Sequence, residues 1–251
     1  MDRSPRLQVV VAHPDDETFG CGSLLLHAKS SGAVTTVCCA TRGEEGGAAA
    51  ASDLAAVRER ELHEAAAVLE VDTVRLLDFA DSGMSGTLPP HALCAADFGD
   101  VVASLRAEID AFGPDVVVTL DAGDGHRDHA RIRDAAIAAA RDAEVPRVYL
   151  LCLPRSLMQR WIDQMRVDHP DTEYLDAETS TLGTPDDDIT TIIDVTEHLA
   201  RRQRAINAHT SQTSPFEGLP DDLTQAFLAA VHARRVEPPW LGGDLETDLF
   251  G

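Results

Sequence analysis

The stretch VVVAHPDDETFGCG, residues 9–22, runs from an apolar segment directly into a histidine, a proline and three consecutive acids. The segment LQVVVA (7–12) is short, continuous and rich in β-branched residues, which is typical of a strand buried on both faces of a parallel sheet. Unpaired carboxylates rarely settle at the edge of a core, because removing their charge from water is costly. The acids at 15–17 are therefore either solvated or gathered around something cationic.

Outward from this stretch, apolar segments alternate with segments of helical periodicity. The further predicted strands are 34–41, 74–79, 115–120 and 147–154, and the predicted helices between them are 17–32, 53–69, 97–111 and 130–143. This alternation predicts a single-domain, Rossmann-like α/β fold, with a mostly parallel central sheet and helices on both faces. A loop rich in Gly and Ala is expected over 41–53.

The pattern loosens after Pro154. Helices are predicted at 156–166, 196–209 and 221–235, and a strand is predicted within 184–195, at an edge of the sheet. No linker is long or polar enough to separate a second domain, so we expect one domain over 1–251. Its core is expected to cover about 7–213, followed by a C-terminal helix and tail over 214–251.

Composition argues against several functional classes. The 251 residues carry 43 acidic and 21 basic side chains, and a net charge of −22 disfavours nucleic acid or an anionic membrane surface as a partner. No apolar segment approaches the ~20 residues of a transmembrane helix, and the N-terminus lacks the apolar run of a signal peptide. The five cysteines form no CxxC pair, as expected of reduced thiols. We expect a cytoplasmic protein, and a small homo-oligomer is compatible with this composition.

Polar clusters follow four of the predicted strands at the point where each strand ends. HPDDE follows the first strand, TRGEEGG the second, DFADSG the third and GDGHRDH the fourth. Ligands of open parallel sheets bind beyond the carboxyl ends of the strands. The four clusters are therefore expected to meet at one edge of the sheet, although they lie far apart in sequence.

The spacing of the histidines and acids in two of these clusters is compatible with a metal site. His13 and Asp16 stand at positions i and i+3 of a turn with Pro14 at i+1, so both can face one ion while Asp15 points elsewhere. Either histidine of the GHRDH segment can complete a His₂Asp set while the other faces the pocket. Three protein ligands and an open position are typical of catalytic zinc, and the same set also suits Fe²⁺.

The ordered motifs resemble a known family. AHPDDE after the first strand, TRGEEG after the second and a later HxDH are similar to the LmbE/PIG-L family of zinc-dependent N-deacetylases. The segments VRERELHEAAAVLEV (57–71) and ITTIIDVTEHLARRQRAINAHTSQ (189–212) resemble that family's Arg-x-x-Glu helix and its closing strand and helix. The resemblance extends over about residues 7–213.

The resemblance implies roles for particular residues. It implies zinc ligation by His13, Asp16 and His129. Asp15 would be the general base, and His126 would stabilise the oxyanion or protonate the leaving amine. Asp128 would orient a histidine.

Further residues are expected to face the substrate. The resemblance implies that Arg58 binds the sugar or its attached group and that His209 lines the mouth of the pocket. Glu44 and Glu45 follow a strand end and are candidates for contacting sugar hydroxyls. Asp121 and Asp124 are expected to cap their loop rather than to bind the ligand.

One position departs from the family pattern. Arg127 stands where the family usually has proline, while the spacing of the histidines is intact. Metal binding is therefore expected to survive. A guanidinium at the rim would alter substrate choice or pair with Asp124 or Asp128.

The metal-site pattern and the resemblance together imply a zinc-dependent hydrolase that removes an N-acetyl group from an amino sugar or an N-acetylglucosamine-containing conjugate. An amidase for a larger sugar-linked amide is the nearest alternative, and a metal-binding interaction protein without catalysis is the alternative from another class. A metal phosphoesterase needs more ligands than the three counted here, and a dinucleotide site lacks its GxGxxG order. The motifs do not choose among a thiol-cofactor precursor, an antibiotic glycoside and a cell-surface glycan as the context.

Overall fold

The structure is a computed structural model that describes residues 3–46, 53–168 and 181–251. Part of the predicted Gly- and Ala-rich loop, residues 47–52, lies outside the described residues. Within the described ranges the chain forms one seven-stranded sheet with helices on both faces. The single-domain, Rossmann-like α/β architecture predicted from the sequence is confirmed.

The sheet is parallel except at one strand near its edge. Its strands are β1 (Arg6–Val11), β2 (Val34–Cys39), β3 (Thr73–Leu76), β4 (Val116–Leu120), β5 (Arg147–Leu151), β6 (Thr191–Asp194) and β7 (Ala230–Glu237). They lie in the order β3-β2-β1-β4-β5-β7-β6. Neighbours from β3 to β5 pair in parallel, whereas β7 runs antiparallel to both β5 and β6. The predicted edge strand within 184–195 is confirmed as β6.

The helices follow the predicted alternation, with differences at several ends. They are α1 (Asp16–Phe19), α2 (Gly22–Ser30), α3 (Leu54–Val68), α4 (Phe98–Phe112), α5 (Arg127–Asp142), α6 (Arg155–Asp168), α7 (Leu199–Ile206) and α8 (Asp221–Leu228). The helix predicted at 17–32 is divided in two at Gly20, which caps α1. A Cβ on Gly20 would lie 2.9 Å from the carbonyl oxygen of Asp16, so this tight connection requires glycine.

The central strand β1 is buried on both faces, as its run of apolar residues, interrupted only by Gln8, predicts. Leu7, Val9 and Val11 pack into one core cluster, against α2 and α3. Val10 packs into the other cluster, against α4 and α5. Successive side chains of a strand point to opposite faces, so a strand between two helix layers needs apolar residues throughout.

The predicted helix at 221–235 is wrong in its second half. The helix α8 ends at Leu228, and the chain turns back as β7. Val231 and Ala233 are buried, while the residues between and beside them are only partly buried, which is a period of two. That alternation is short and lies directly after an amphipathic helical segment, so the helical pattern conceals it.

The edge of the sheet opposite the polar loops carries the chain's single lysine. Lys29, in the last turn of α2, pairs with Asp72 at an N···O distance of 2.8 Å, and Asp72 also accepts a hydrogen bond from the backbone N–H of Thr35. This places Lys29 beside the amino ends of β2 and β3. No helix in the described part of the chain is long and apolar enough to cross a membrane.

Candidate metal centre and active site

The turn after β1 is held by its own side chain. The carboxylate of Asp16 accepts a hydrogen bond from the backbone N–H of His13 at 2.8 Å, and the N–H of Asp16 donates to the carbonyl oxygen of His13 at 3.3 Å. Asp15 lies between them with φ of 119°, a conformation that residues with a Cβ rarely adopt. The turn therefore separates the directions of the two neighbouring carboxylates, as the spacing predicts.

Three side chains, those of His13, Asp16 and His129, bring ring nitrogens and carboxylate oxygens towards a common point. The Nε2 atom of His129 lies 3.2 Å from Oδ1 of Asp16, and the Nδ1 atom of His13 lies 3.5 Å from Oδ2 of the same carboxylate. The buried Nε2 atom of His129 has no hydrogen-bond partner. A buried nitrogen without a partner, beside a carboxylate and a second imidazole, fits a divalent cation of the kind that takes His and Asp ligands.

His126 lies close enough to offer an alternative donor set. Candidate ligand atoms of His13, His126 and His129 lie within 4.8 Å of one another, and those of His13, Asp81 and Asp128 form a second such group. The described residues thus include clusters suited to a metal ion. We favour the set with Asp16, because its carboxylate lies between the two buried histidines and balances the charge of the ion.

Carboxylates on the far side of each ring fix the two buried histidines. Nε2 of His13 lies 3.2 Å from Oδ2 of Asp128 and 3.4 Å from Oδ1 of Asp81, and Nδ1 of His129 lies 2.6 Å from Oδ2 of Asp124. Such contacts select the tautomer and the orientation of a ligating imidazole. The position of Asp128 agrees with its predicted orienting role.

Two of these acids are ones that sequence reasoning did not place at the site. Asp81 was not singled out within the DFADSG segment, although that cluster was expected at this edge of the sheet. Asp124 does cap its loop as predicted, since it accepts from the N–H of His126 at 3.1 Å, but its other oxygen contacts His129. The three-residue spacing between His126 and His129 does not indicate which acid contacts the far nitrogen of each imidazole ring.

The mutual proximity of these groups shifts their pKa values. Burial lowers the pKa of His129, but Asp16 and Asp124 outweigh it and raise that pKa to about 10. Burial raises the pKa of Asp16, yet His129 and His13 hold it well below its usual range. Asp16 is therefore ionised at neutral pH, which a metal ligand requires.

Asp15 has the opposite electrostatic setting. Burial and the neighbouring charge of Asp16 raise the pKa of Asp15 to about 7, although Arg58 opposes the shift. An Nη2 atom of Arg58 donates to Oδ2 of Asp15 at 2.9 Å. Asp15 is thus a largely buried carboxylate next to the metal-facing atoms but not among them.

Arg58 directs its guanidinium at the protein itself. The residue is 3% exposed, and it also donates to the carbonyl oxygens of Pro14 at 2.5 Å and Gly43 at 2.7 Å. These contacts connect α3 to the turn after β1 and to the loop after β2. They position Asp15, whereas the expected contact between Arg58 and the sugar stays a prediction.

His126 is half-buried at the start of α5 and faces the two other imidazoles. Burial and the positive charges of His13 and His129 lower its pKa, so that it is neutral at pH 7. Its Nδ1 atom accepts a hydrogen bond from the backbone N–H of Asp128 at 3.1 Å. A neutral imidazole that accepts at Nδ1 carries its proton at Nε2 and can donate it.

His209 does not line the mouth of the pocket, so this expectation is wrong. Its side chain is fully buried and contacts Oε1 of Glu17 at 2.8 Å. The other oxygen of Glu17 accepts from the backbone N–H of Asp15 at 2.8 Å. His209 therefore lies behind the strained Asp15, and the short polar motif that contains it gave no indication of its depth.

The two acids of the second loop differ in their surroundings. Glu44 turns back on its own loop and accepts from the N–H of Arg42 at 3.2 Å. Glu45 is exposed beside Gly83, and its backbone N–H donates to Asp81 at 3.3 Å. Glu45 is thus the better placed of the two to meet a sugar hydroxyl, and both contacts stay predictions.

Arg127 occupies the first position of α5 and connects this helix to the loop after β3. It donates to the carbonyl oxygens of Gly83 at 2.6 Å, Ser85 at 3.1 Å and Gly86 at 3.1 Å, and also to that of Ser82. It forms no ion pair with Asp124 or Asp128 in the described structure, so the expected pairing is wrong, while an effect on substrate choice stays a prediction. Where the family usually has proline, the guanidinium of Arg127 therefore holds the 82–86 loop through hydrogen bonds.

Comparison with known proteins supports the same class of site. Residues 8–140 match the family described as "PIG-L: GlcNAc-PI de-N-acetylase". The chain is 32% identical over 289 aligned residues to a 1D-myo-inositol 2-acetamido-2-deoxy-alpha-D-glucopyranoside deacetylase of Geodermatophilus obscurus, with 100% of this chain and 98% of the relative covered. It is 34% identical to the deacetylase of the same name from Thermobifida fusca, with 98% of each chain covered.

A solved structure shares the fold at low sequence identity. The zinc-inhibited form of teicoplanin deacetylase Orf2 superposes with a TM-score of 0.62 and 19% identity, and the match covers 92% of this chain and 98% of that one. At this sequence identity the similarity establishes the fold alone, and the chemistry has to be argued from the side chains of the site.

Proposed function

The chain belongs to the PIG-L family of GlcNAc-PI de-N-acetylases, and from this premise we propose that it is a zinc-dependent hydrolase that removes the N-acetyl group of an N-acetylglucosamine conjugate. Water adds to the acetyl carbon, the C–N bond breaks, and acetate and the free amine of the sugar are released. One observation carries the proposal: Asp15, a carboxylate with a pKa near 7, lies beside the metal-facing atoms and is held there by Arg58.

The residues at the turn and on α5 fit zinc ligation by His13, Asp16 and His129. Zinc bound there would lower the pKa of a water molecule to about 7 and polarise the substrate carbonyl. Fe²⁺ suits the same ligands, and activity after reconstitution with each ion shows which metal supports turnover better.

Asp15 is the proposed general base. Its pKa near neutrality lets it accept a proton from the attacking water and return a proton to the departing nitrogen. The φ of 119° at Asp15 turns its carboxylate away from that of Asp16, so Asp15 is not one of the metal ligands. A hydrolytic site needs a carboxylate that is near the metal but does not ligate it. A purely structural metal site has no use for such a carboxylate.

His126 is the proposed donor to the carbonyl oxygen. The Nδ1 atom is occupied by the N–H of Asp128, so the proton on Nε2 is directed away from the helix backbone. A neutral imidazole that donates there stabilises the negative charge that develops on the oxygen. The same group can protonate the leaving amine, which is the second role that the sequence predicts.

Two alternatives from the sequence make different predictions for the same site. An amidase for a larger amide would need the same base and metal but would prefer a substrate with a longer acyl group. A metal-binding protein without catalysis would also bind zinc. In such a protein, Asp15→Asn would leave both zinc binding and stability unchanged. Such a protein has no need of a buried carboxylate held at a pKa near 7 beside the ligands.

The test is acetate release from N-acetylglucosamine, its inositol glycoside and its aryl glycosides, with metal-replete and chelated protein. Release from the metal-replete wild type, its loss on chelation, and a fall of at least a thousandfold in kcat for Asp15→Asn at unchanged metal content are expected. Exposed Asp134→Asn on α5 is the matched control and should keep full activity. Bound metal without release from any substrate would overturn the proposal.

We further propose that the protein acts in the cytoplasm. All five cysteines are free, and the thiols of Cys21, Cys38, Cys39 and Cys152 are buried. Free thiols are typical of a reducing compartment. The expected small homo-oligomer stays a prediction.

A further inference from the structure

A cavity of about 370 Å³ lies next to the metal-facing atoms, on the side of β4 and β5. Asp15, Asp16 and His129 form one end of it. The rest of the wall is mostly apolar, with large side chains that include Phe19, Leu151, Trp161, Leu182, Phe216 and Phe227. The cavity is therefore continuous with the candidate active site and differs from it in polarity.

Contacts among the aromatic side chains hold the apolar wall in place. The indole N–H of Trp161 donates to the carbonyl oxygen of Pro215 at 3.1 Å. The ring of Phe216 meets Phe19 nearly at right angles at 6.4 Å, and meets Phe227 at 5.8 Å. These rings are only half-buried, so they present an ordered apolar surface to whatever enters the cavity.

The charged groups that line the cavity are already engaged. Asp121 pairs with Arg234 at 3.2 Å and accepts from Thr184, and Asp124 contacts His129. No lysine or arginine is among the described residues that line the cavity. Apart from His129 at the metal-facing end, an anionic group would meet only acids there, and a polyhydroxylated ring would find few free partners for its hydroxyls.

The side of the site over β2 and β3 is polar, and the expected contacts with the sugar lie on this side. Exposed Glu45, buried Asp81 and the carbonyl-rich loop at 82–86 lie there, across the metal-facing atoms from the cavity. The acyl part of an acetamide is a single methyl group, which is far smaller than the cavity. The space is therefore built for the group attached to the sugar.

We propose that this cavity binds an uncharged apolar aglycone, so that the substrate is an N-acetylglucosamine glycoside with a cycloalkyl, alkyl or aryl group. The inference rests on the proposed deacetylase function and narrows its substrate class. It separates this chain from the relatives that are named for a substrate with inositol, a ring with a hydroxyl on every remaining carbon.

The test compares two glycosides of the same anomeric form that differ only in the hydroxyls of the aglycone ring. These are the cyclohexyl and the inositol glycosides of N-acetylglucosamine, assayed by acetate release from the metal-replete enzyme. The cyclohexyl glycoside is expected to have at least a tenfold higher kcat/KM, because its ring is transferred from water to an apolar wall. Equal values, or a preference for inositol, overturn the inference.

Two substitutions locate the effect in the cavity. Phe216→Ser and Leu182→Asn are each expected to reduce the cyclohexyl-to-inositol ratio of kcat/KM at least fivefold, because each adds a polar group to the apolar wall. Leu241→Asn is the control, since Leu241 is 93% exposed and lies outside the cavity, and it should leave the ratio unchanged. An unchanged ratio in both cavity variants, with melting curves that report folded protein, overturns the inference.

The failure of the inference and the failure of the proposed function give different results. Acetate release from the inositol glycoside, with no gain for the cyclohexyl glycoside, leaves the function intact and overturns the inference alone. No release from any glycoside overturns the function and the inference together. A rate that rises with acyl length in N-hexanoylglucosamine, while the aglycone has no effect, assigns the cavity to the acyl group and overturns the inference.

Discussion

Asp15 and Asp16 are adjacent in sequence, yet the pKa of one is raised to about 7 and that of the other is held well below its usual range. The difference arises from direction, because the strained φ of Asp15 turns its carboxylate to Arg58 while Asp16 lies between two histidines. Different surroundings thus give neighbouring carboxylates the separate roles of base and ligand.

The contact between Asp124 and His129 predicts a change in metal affinity at the residue scale. Asp124→Asn removes the carboxylate from Nδ1 of His129, so the imidazole becomes a weaker and less ordered ligand. The dissociation constant for Zn²⁺ is expected to rise about 10- to 100-fold, measured by competition with a chromogenic chelator. Asp134→Asn serves as the control on the same helix, and an unaltered affinity for Asp124→Asn would contradict the prediction.

Arg127 gives a second prediction at this scale. Arg127→Pro should leave α5 intact, since proline is well tolerated at the first helical position. It removes the donors to the 82–86 loop, so the free energy of unfolding is expected to fall by about 1–2 kcal/mol, and the Tm by a few degrees. Arg127→Met, which removes the same donors without proline, should match it in thermal melts. A rise in Tm for both variants would contradict this account.

Single residues at the site were predictable where spacing carries the information. His13 and Asp16 stand at an interval that a turn converts into proximity, whereas the choice of His129 over His126 came from the family resemblance. Asp81 and His209 reach their positions through tertiary packing across separate loops, and no local spacing indicates this. The side chains that the resemblance places around the metal do lie together, whereas it gave no indication of Asp81 and placed His209 wrongly.

At the scale of elements, α3 is joined to the segment after α7 through one buried acid. Glu61 is 3% exposed and accepts hydrogen bonds from the hydroxyls of Thr210 and Ser211 and from the N–H of Ser211, at 2.6–2.8 Å. Burial raises the pKa of Glu61, but these donors outweigh it and lower the pKa. The contact fixes the segment that contains His209 behind the active site.

Glu61→Gln should therefore lower the free energy of unfolding by about 1–2 kcal/mol at pH 7. Because the folded pKa is lowered, the contribution of Glu61 is fully present above its ordinary pKa of about 4.5 and is lost as pH falls through the folded value. Denaturant unfolding at pH 7 and at pH 3.5 should show the deficit shrinking at the lower pH. Exposed Glu64→Gln is the control, and an equal deficit at both pH values would contradict the prediction.

The element that sequence analysis missed shows where periodicity fails. The segment 221–235 contains enough apolar residues at helical spacing to hide a change of period after Leu228. The antiparallel β7 pairs with β5 on one side and β6 on the other. The alternation of buried and partly buried side chains along β7 therefore depends on long-range strand pairing. The parallel strands β1, β2, β4 and β5 were predictable because burial on both faces favours short runs that are mostly apolar and rich in β-branched residues.

At the scale of the whole molecule, the topology brings four distant loops to one edge of the sheet, as the strand pattern predicts. The loops after β1 and β4 supply the metal-facing atoms, and that after β3 supplies Asp81. This convergence needs only parallel strands and right-handed connections, so it follows from the order of elements alone. The apolar cavity beside it was not predictable, because its walls come from side chains whose sequence context resembles that of ordinary core.

The net charge of −22 predicts a dependence of stability on salt. Repulsion among the excess acids weakens the compact state, and salt screens it over a Debye length of ~10 Å at 0.1 M. The Tm is expected to rise by several degrees between about 10 mM and 300 mM NaCl. Choline chloride at matched ionic strength should give the same rise. A Tm that is constant or falls across this range would contradict the prediction.

The location of Lys29 has a practical consequence for handling the protein. It is the chain's only lysine, and it lies beside the amino ends of β2 and β3, at the edge of the sheet opposite the candidate site. Among the side chains, amine-directed reagents such as activated-ester dyes or sensor-chip coatings have this one target besides the α-amino group, and it is 21% exposed and remote from the metal-facing atoms. Molecules tethered through it would share one orientation, with the cleft directed away from the support.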